Sequence, residues 1–162
     1  MAEFDPFSLC ESEIEKMMLR ALIAADFEWA NDPPNTVVPP TWPGNSKDAI
    51  TILRDVGVVI IPQLDLEPYR VDFAIFMLGE DGDALSIVVE CDGHDFHEKT
   101  KEQAARDKKR DRFLQAQRYS VFRFTGPEIF KDARACAHEV SDFGAAWLFL
   151  QLRKNQRRRG IK

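Results

Sequence analysis

Residues Tyr69 to Cys91 read YRVDFAIFMLGEDGDALSIVVEC. The first part, Tyr69 to Met77, alternates, placing Val71, Phe73, Ile75 and Met77 on one side of an extended chain. The last part, Leu85 to Cys91, is a β-branched, apolar run suited to a buried strand. Gly79-Glu80-Asp81-Gly82-Asp83 between them gathers turn formers, so the two strands are expected to fold back on each other as a hairpin.

Outward from this hairpin the pattern continues on both sides. Val58 to Ile61 is a second β-branched run, and Tyr119 to Phe124 (YSVFRF) reads as a further strand. A helical stretch from about Lys99 to Gln117 separates that last strand from the hairpin, long enough for the crossover a parallel neighbour requires. Towards the N-terminus, Ser12 and Glu15 have capping-box spacing, and Ile14, Met17, Met18, Ala21, Leu22 and Ala25 recur at helical intervals, which predicts a helix from Ser12 to Glu28. Six residues between Asn31 and Lys47 (Pro33, Pro34, Pro39, Pro40, Pro43 and Gly44) predict a long loop. A short helix capped by Ser46 is expected to run through Ile50 and Leu53 to Gly57. After the last strand come two helical segments, one opened by Pro127 and one carrying Phe143, Trp147 and Leu150 at packing intervals. The sum is an α/β sandwich, with a central mixed sheet of four to five strands and helices on both faces.

A chain of 162 residues with 44% apolar content is long enough for one continuous core. A single domain over 1–162 is expected, its core spanning about 12–130 and its C-terminal helices and basic tail 131–162. Cys10, Cys91 and Cys136 are odd in number and scattered, which argues against a disulfide framework and for a reducing, cytoplasmic setting. No stretch has the form of a signal peptide or membrane span, so no membrane partner is expected. The net charge of -5 excludes bulk coating of nucleic acid, yet Lys99 to Arg112 and Arg153 to Lys162 are locally basic. Either block fits a basic groove on an acidic body, and equally a solvated helix face or a tail.

Asp72 is the only acid in its strand and should point away from the apolar set. Glu90 and Asp92, two apart, share a face at the end of the next strand. Hairpin pairing would bring three carboxylates together, and such anions either raise their pKa values or bind a cation, for which Mg²⁺ or Mn²⁺ is the best match to oxygen donors. Cys91, His94 and His97 have Cys-x2-His-x2-His spacing, which opens a reading as a zinc-stabilised interaction domain; Cys10 and Cys136 offer no second knuckle for it. In the crossover helix Arg106 and Arg110 share one face, and Asp107 and Asp111 the next, a pattern that salt bridging between turns would explain.

Taken in order, Tyr69-Arg70-Val71-Asp72-Phe73, VVECDGHDFH from Val88 to His97, RDKKRDRFL from Arg106 to Leu114 and VFRF from Val121 to Phe124 resemble the PD-(D/E)XK nuclease superfamily, in its restriction-endonuclease-like branch related to very-short-patch-repair endonucleases. The resemblance spans about Ser12 to Phe130. It implies a restriction-endonuclease-like three-layer sandwich and a metal-dependent endonuclease acting on nucleic acid, with DNA the expected partner. It implies Mg²⁺, replaceable by Mn²⁺, held by Asp72, Glu90 and the carbonyl of Cys91. His97 would act near the scissile phosphate, and Asp92 and Glu15 would shape a second ion site or the attacking water. Glu15 also has the capping role its spacing predicts, and Gln63 resembles a glutamine upstream of the strand aspartate. Lys99, Lys108, Lys109, Arg110 and Arg112 would meet phosphates, with Arg110 alternatively orienting a carboxylate. One position departs from the pattern: Asp92 stands where the E-x-K lysine is usual, leaving His97, Lys99, Arg110 or a second metal to supply the positive charge. An inactive nucleic-acid-binding or regulatory module of the same fold is the alternative. A chain this short also suggests a homodimer mate or a targeting protein.

Overall fold

The computed structural model describes residues 4–25, 27, 35–41, 53–54, 56–79, 82–93 and 101–160. Among these, five strands form one mixed sheet in the order β1-β2-β3-β4-β5: Thr36–Val37, Val58–Leu66, Tyr69–Leu78, Ala84–Asp92 and Tyr119–Thr125. β2, β3 and β4 are antiparallel, while β1 and β5 join the two sides in parallel. The long helices among the described residues are α1 (Glu13–Ala24), α2 (Lys101–Ala116) and α3 (Gly126–Arg158), preceded by a short 3-10 turn at Pro6–Leu9. The result is an α/β sandwich of the restriction-endonuclease-like kind. Among the described residues no helix is long and apolar enough to cross a membrane.

The predicted hairpin forms around Gly79 to Asp83, where Gly79 N–H donates to Asp83 O at 2.7 Å. Gly82 supplies the positive φ of 86° that the turn needs. The crossover also forms as expected, α2 carrying the chain from β4 to a parallel β5.

The sheet has two unlike faces. Val58, Ile60, Phe73, Ile75, Met77, Ile87 and Val89 pack against Met18, Leu19 and Leu22 of α1 and Ile129, Ala137 and Val140 of α3. Gly144 lets α3 come close here, since a Cβ at that position would meet Met77 Sδ at 2.7 Å. The other face, Val59, Ile61, Val71, Ala74 and Val88, is covered by α2, whose one fully buried side chain is Leu114.

Several expectations require correction. Strict alternation along β3 fails, because Val71 packs on the α2 face whereas Phe73, Ile75 and Met77 pack on the α1–α3 face. The cause lies across the ladder at Gln63, whose φ of 52° turns β2 over between Pro62–Phe73 and Leu64–Val71. α1 stops at Ala24 rather than Glu28. Asn35 Nδ2 donates to Leu22 O at 2.8 Å and Ala25 O at 2.9 Å, satisfying carbonyls that would otherwise continue the helix. Within the predicted loop, Thr36–Val37 adds a short parallel strand beside β2. Of the short helix ending at Gly57, Leu53, Arg54 and Val56 are helical, Gly57 ends the turn with φ 76°, and Ser46 and Ile50 lie outside the described residues.

The two C-terminal segments meet without a loop at Asp132, which has non-helical φ and ψ and whose Oδ1 accepts from Ala135 N–H at 2.9 Å, capping the second segment. Trp147 packs against the core. Leu150 stays exposed, and Phe143, though partly exposed, makes a T-shaped contact with Phe122 at the core's edge. Cys136, Ala137 and Val140, beyond residue 130, belong to the same core as α1.

Candidate active site at the open end of the hairpin

The β3–β4 ladder runs from Leu78–Ala84 to Phe73–Val89 and ends there. Asp72 and Glu90 are the next residues on the two strands. Asp72 Oδ2 takes the N–H of Cys91 at 2.7 Å, so a carboxylate replaces the strand's own acceptor just where the ladder opens. β4 does not fray beyond this point, because β5 remains paired to it through Asp92–Thr125. Both acids therefore stand on a rigid sheet.

Glu90 is only 4% exposed. Its partner is Arg110 of α2, whose Nη2 donates to Glu90 Oε1 at 2.5 Å and to Arg70 O at 2.6 Å. The Arg110 guanidinium also lies 5.8 Å from the Tyr69 ring centroid. Arg110 sits four residues before Leu114, so the side chain that anchors α2 and the one that meets Glu90 share a helix face. Asp92 projects to the same side of β4 as Glu90 and lies 3.5 Å from Arg123 Nη1, while Arg123 Nη2 donates to Asp111 Oδ1 at 2.7 Å. The two α2 residues thus bond to the sheet, not to the next turn of their own helix.

Glu15 enters from the other face. It is 7% exposed, with Oε1 accepting from Ser12 Oγ at 2.7 Å and Oε2 accepting from Glu11 N–H at 2.8 Å and Gln63 Nε2 at 2.9 Å. Ser12 caps α1 as predicted by accepting Glu15 N–H, but the returning bond falls on Glu11, and Glu15 spans from the helix start to the sheet. The capping role and the approach to the site are combined in one side chain.

Burial pushes Asp72 up to about 6, opposed by the Cys91 N–H and reinforced by the negative charge of Glu15. Burial likewise pushes Glu90 up to about 7, with Arg110 opposing and Asp72 reinforcing. Burial resists the charge on Arg123, but its bond to Asp111 and the nearby Asp111, Glu90 and Asp92 outweigh this and hold it cationic. The Cys91 thiol is driven far above its ordinary range by burial and surrounding carboxylates, and Cys10 to about 11 by burial and Glu15.

Asp72 thus feels the charges of Glu15 and Asp92, and Glu90 those of Asp72 and Asp92, while Asp92 also pairs with Arg123. Among the described residues no three His, Cys, Asp or Glu side chains converge closely enough to cage a metal ion. Two buried carboxylates that resist joint ionisation are nevertheless the donor chemistry that suits a hard divalent ion, and a backbone carbonyl could complete such a set. Lys108, Lys109 and Arg112 are exposed on α2. His94, His97 and Lys99 lie outside the described residues. Arg123 escaped the sequence reading, although its signal was present: it is the one charged residue in the otherwise uncharged strand YSVFRF, and the parallel register sets it beside Glu90.

The family model REase_MTES_1575, a restriction-endonuclease-like family, matches residues 46–143, more than half of the chain. The chain belongs to this family. Asp72, Glu90, Asp92, Arg110 and Arg123 all fall within the matched span, while Glu15 lies before it. No curated protein and no solved structure matches the chain at a significant level.

Proposed function

We propose that this restriction-endonuclease-like protein is a metal-dependent endonuclease that hydrolyses phosphodiester bonds, with DNA as substrate. The observation that carries the reading is the pair of buried carboxylates, Asp72 and Glu90, held with raised pKa values where the hairpin opens. Asp72 and Glu90, with the Cys91 carbonyl, would hold Mg²⁺ or Mn²⁺, and the bound ion would supply acidified water and neutralise charge on the phosphate. Arg110 orients Glu90 and, with Arg123, keeps positive charge beside the developing phosphorane. Glu15, whose charge acts on Asp72, is assigned a hydrogen bond to the attacking water, and His97 is assigned proton transfer. Asp92 is the site's link to Arg123. Lys99, Lys108, Lys109 and Arg112 are assigned to the phosphate backbone. The resemblance to the PD-(D/E)XK superfamily and its very-short-patch-repair relatives supports this assignment.

The test is nicking of supercoiled plasmid and cutting of labelled single strands with Mg²⁺, Mn²⁺ or chelator. Wild type is expected to cut only with metal. Asp72→Ala and Glu90→Ala should each lower the rate by about 10³-fold or more, in line with removal of charge-stabilising groups, while binding to DNA survives. Asp92, in place of a lysine and paired with Arg123, is the feature that favours an inactive binding module. Metal-independent binding without cutting, unchanged by Asp72→Ala, would establish that module instead.

A further inference from the structure

Among the described residues, two that are not glycine have positive φ: Arg118 at 65° and Gln63 at 52°. Arg118 follows α2, its N–H donating to Gln115 O at 2.9 Å, and a left-handed residue is a normal way to end a helix. Gln63 has no such reason. It lies inside β2, between the paired residues Pro62 and Leu64, where a side chain with a Cβ is strained in this conformation.

The strain has a definite geometric effect. Val59 and Ile61 face α2, so regular alternation would turn Gln63 towards α2 as well. Its amide instead reaches through to the opposite face and donates to Glu15 of α1, and Leu64 and Leu66 then continue on the α2 side. Gln63 is itself buried, 9% exposed, so this contact is not a surface accident. Glu15 ends up with donors on both oxygens, and its charge helps to raise the Asp72 pKa.

We infer that Gln63 is a positioning residue: its strained backbone carries the amide across the sheet to fix the Glu15 carboxylate, so that Glu15 can orient the water used at the Asp72 site. The inference rests on the nuclease reading.

Comparison of Gln63→Ala, Gln63→Gly and Glu15→Gln tests it. Both Gln63 variants lose the amide, but glycine tolerates the positive φ, so Gln63→Gly should melt about 2–4 °C above Gln63→Ala in metal-free buffer. Despite this gain, both should cut plasmid about 10- to 100-fold more slowly in kcat, with KM for DNA within twofold. Glu15→Gln should show the same loss, and combining it with Gln63→Gly should add little. A purely structural role predicts that activity returns with stability in Gln63→Gly; that result, or full additivity with Glu15→Gln, overturns the inference. If wild type cuts nothing with either metal, the nuclease reading falls and the inference falls with it; if wild type cuts and Gln63→Gly keeps the wild-type rate, only the inference falls.

Discussion

The two faces of the sheet are held by different physics. On the α1–α3 face, helices bury Met18, Leu19, Leu22, Ile129 and Val140, and the close approach at Gly144 tightens the packing. On the α2 face, a helix of mostly charged residues contributes one fully buried side chain, Leu114, together with Arg110 on Glu90 and Asp111 on Arg123. Apolar burial is non-directional and tolerates any sequence of the right size and pattern. Ion pairs need fixed geometry, and as attachments they also position chemistry. The helix that covers the candidate site is thus fastened in part by residues of that site, so loosening it should also disturb the site.

Deleting one buried leucine on each face gives the largest expected effect. Leu19→Ala and Leu114→Ala should each cost about 2–5 kcal/mol in urea unfolding. Only Leu114→Ala should also slow cutting by the molecules that remain folded, because it frees Arg110. Equal loss of specific activity in both would break the contrast between the faces.

An effect of intermediate size concerns pH. Asp72 and Glu90 have folded pKa values raised to about 6 and about 7, so the folded protein binds more protons than the unfolded chain between about pH 4 and 7. Metal-free stability should therefore fall as pH rises through that window, the reverse of the behaviour of a salt-bridged acid with a depressed pKa. Urea midpoints at pH 5 and pH 8 measure this. The pH dependence should shrink in Asp72→Asn/Glu90→Gln, and added Mn²⁺ should restore stability at the higher pH if it takes these carboxylates as ligands.

The exposed surface of α2 should matter least for folding. Replacing Lys108, Lys109 and Arg112 together by Ala should change stability by no more than about 0.5 kcal/mol. Duplex DNA binding should weaken for all sequences alike, with the salt-dependence slope falling by up to about 3. A change in sequence preference would instead mean that one of these side chains reads base edges.

Much of this molecule was legible because short-range rules govern it. The hairpin, the parallel crossover and the capping of α1 by Ser12 each follow from residues close in sequence. Asp72 and Glu90 could be singled out as acids in otherwise apolar strands, and Glu15 through the family resemblance. The end of α1 at Ala24 was not legible, since its terminal carbonyls are satisfied by Asn35, ten or more residues away. Nor was the pairing of Asp92 with Arg123, which depends on the register between β4 and β5.

The sequence by itself determined most of the strands and helices, and it set carboxylates on two neighbouring strands that must pair. Periodicity and turn chemistry act over a few residues, so a linear reading reaches them. Only the tertiary structure decided which acids face one another. Gln63 turns its strand over and reaches Glu15 across 48 positions, and Arg110 reaches Glu90 across 20. Such contacts are selected by strand register and helix placement, which depend on the whole core at once.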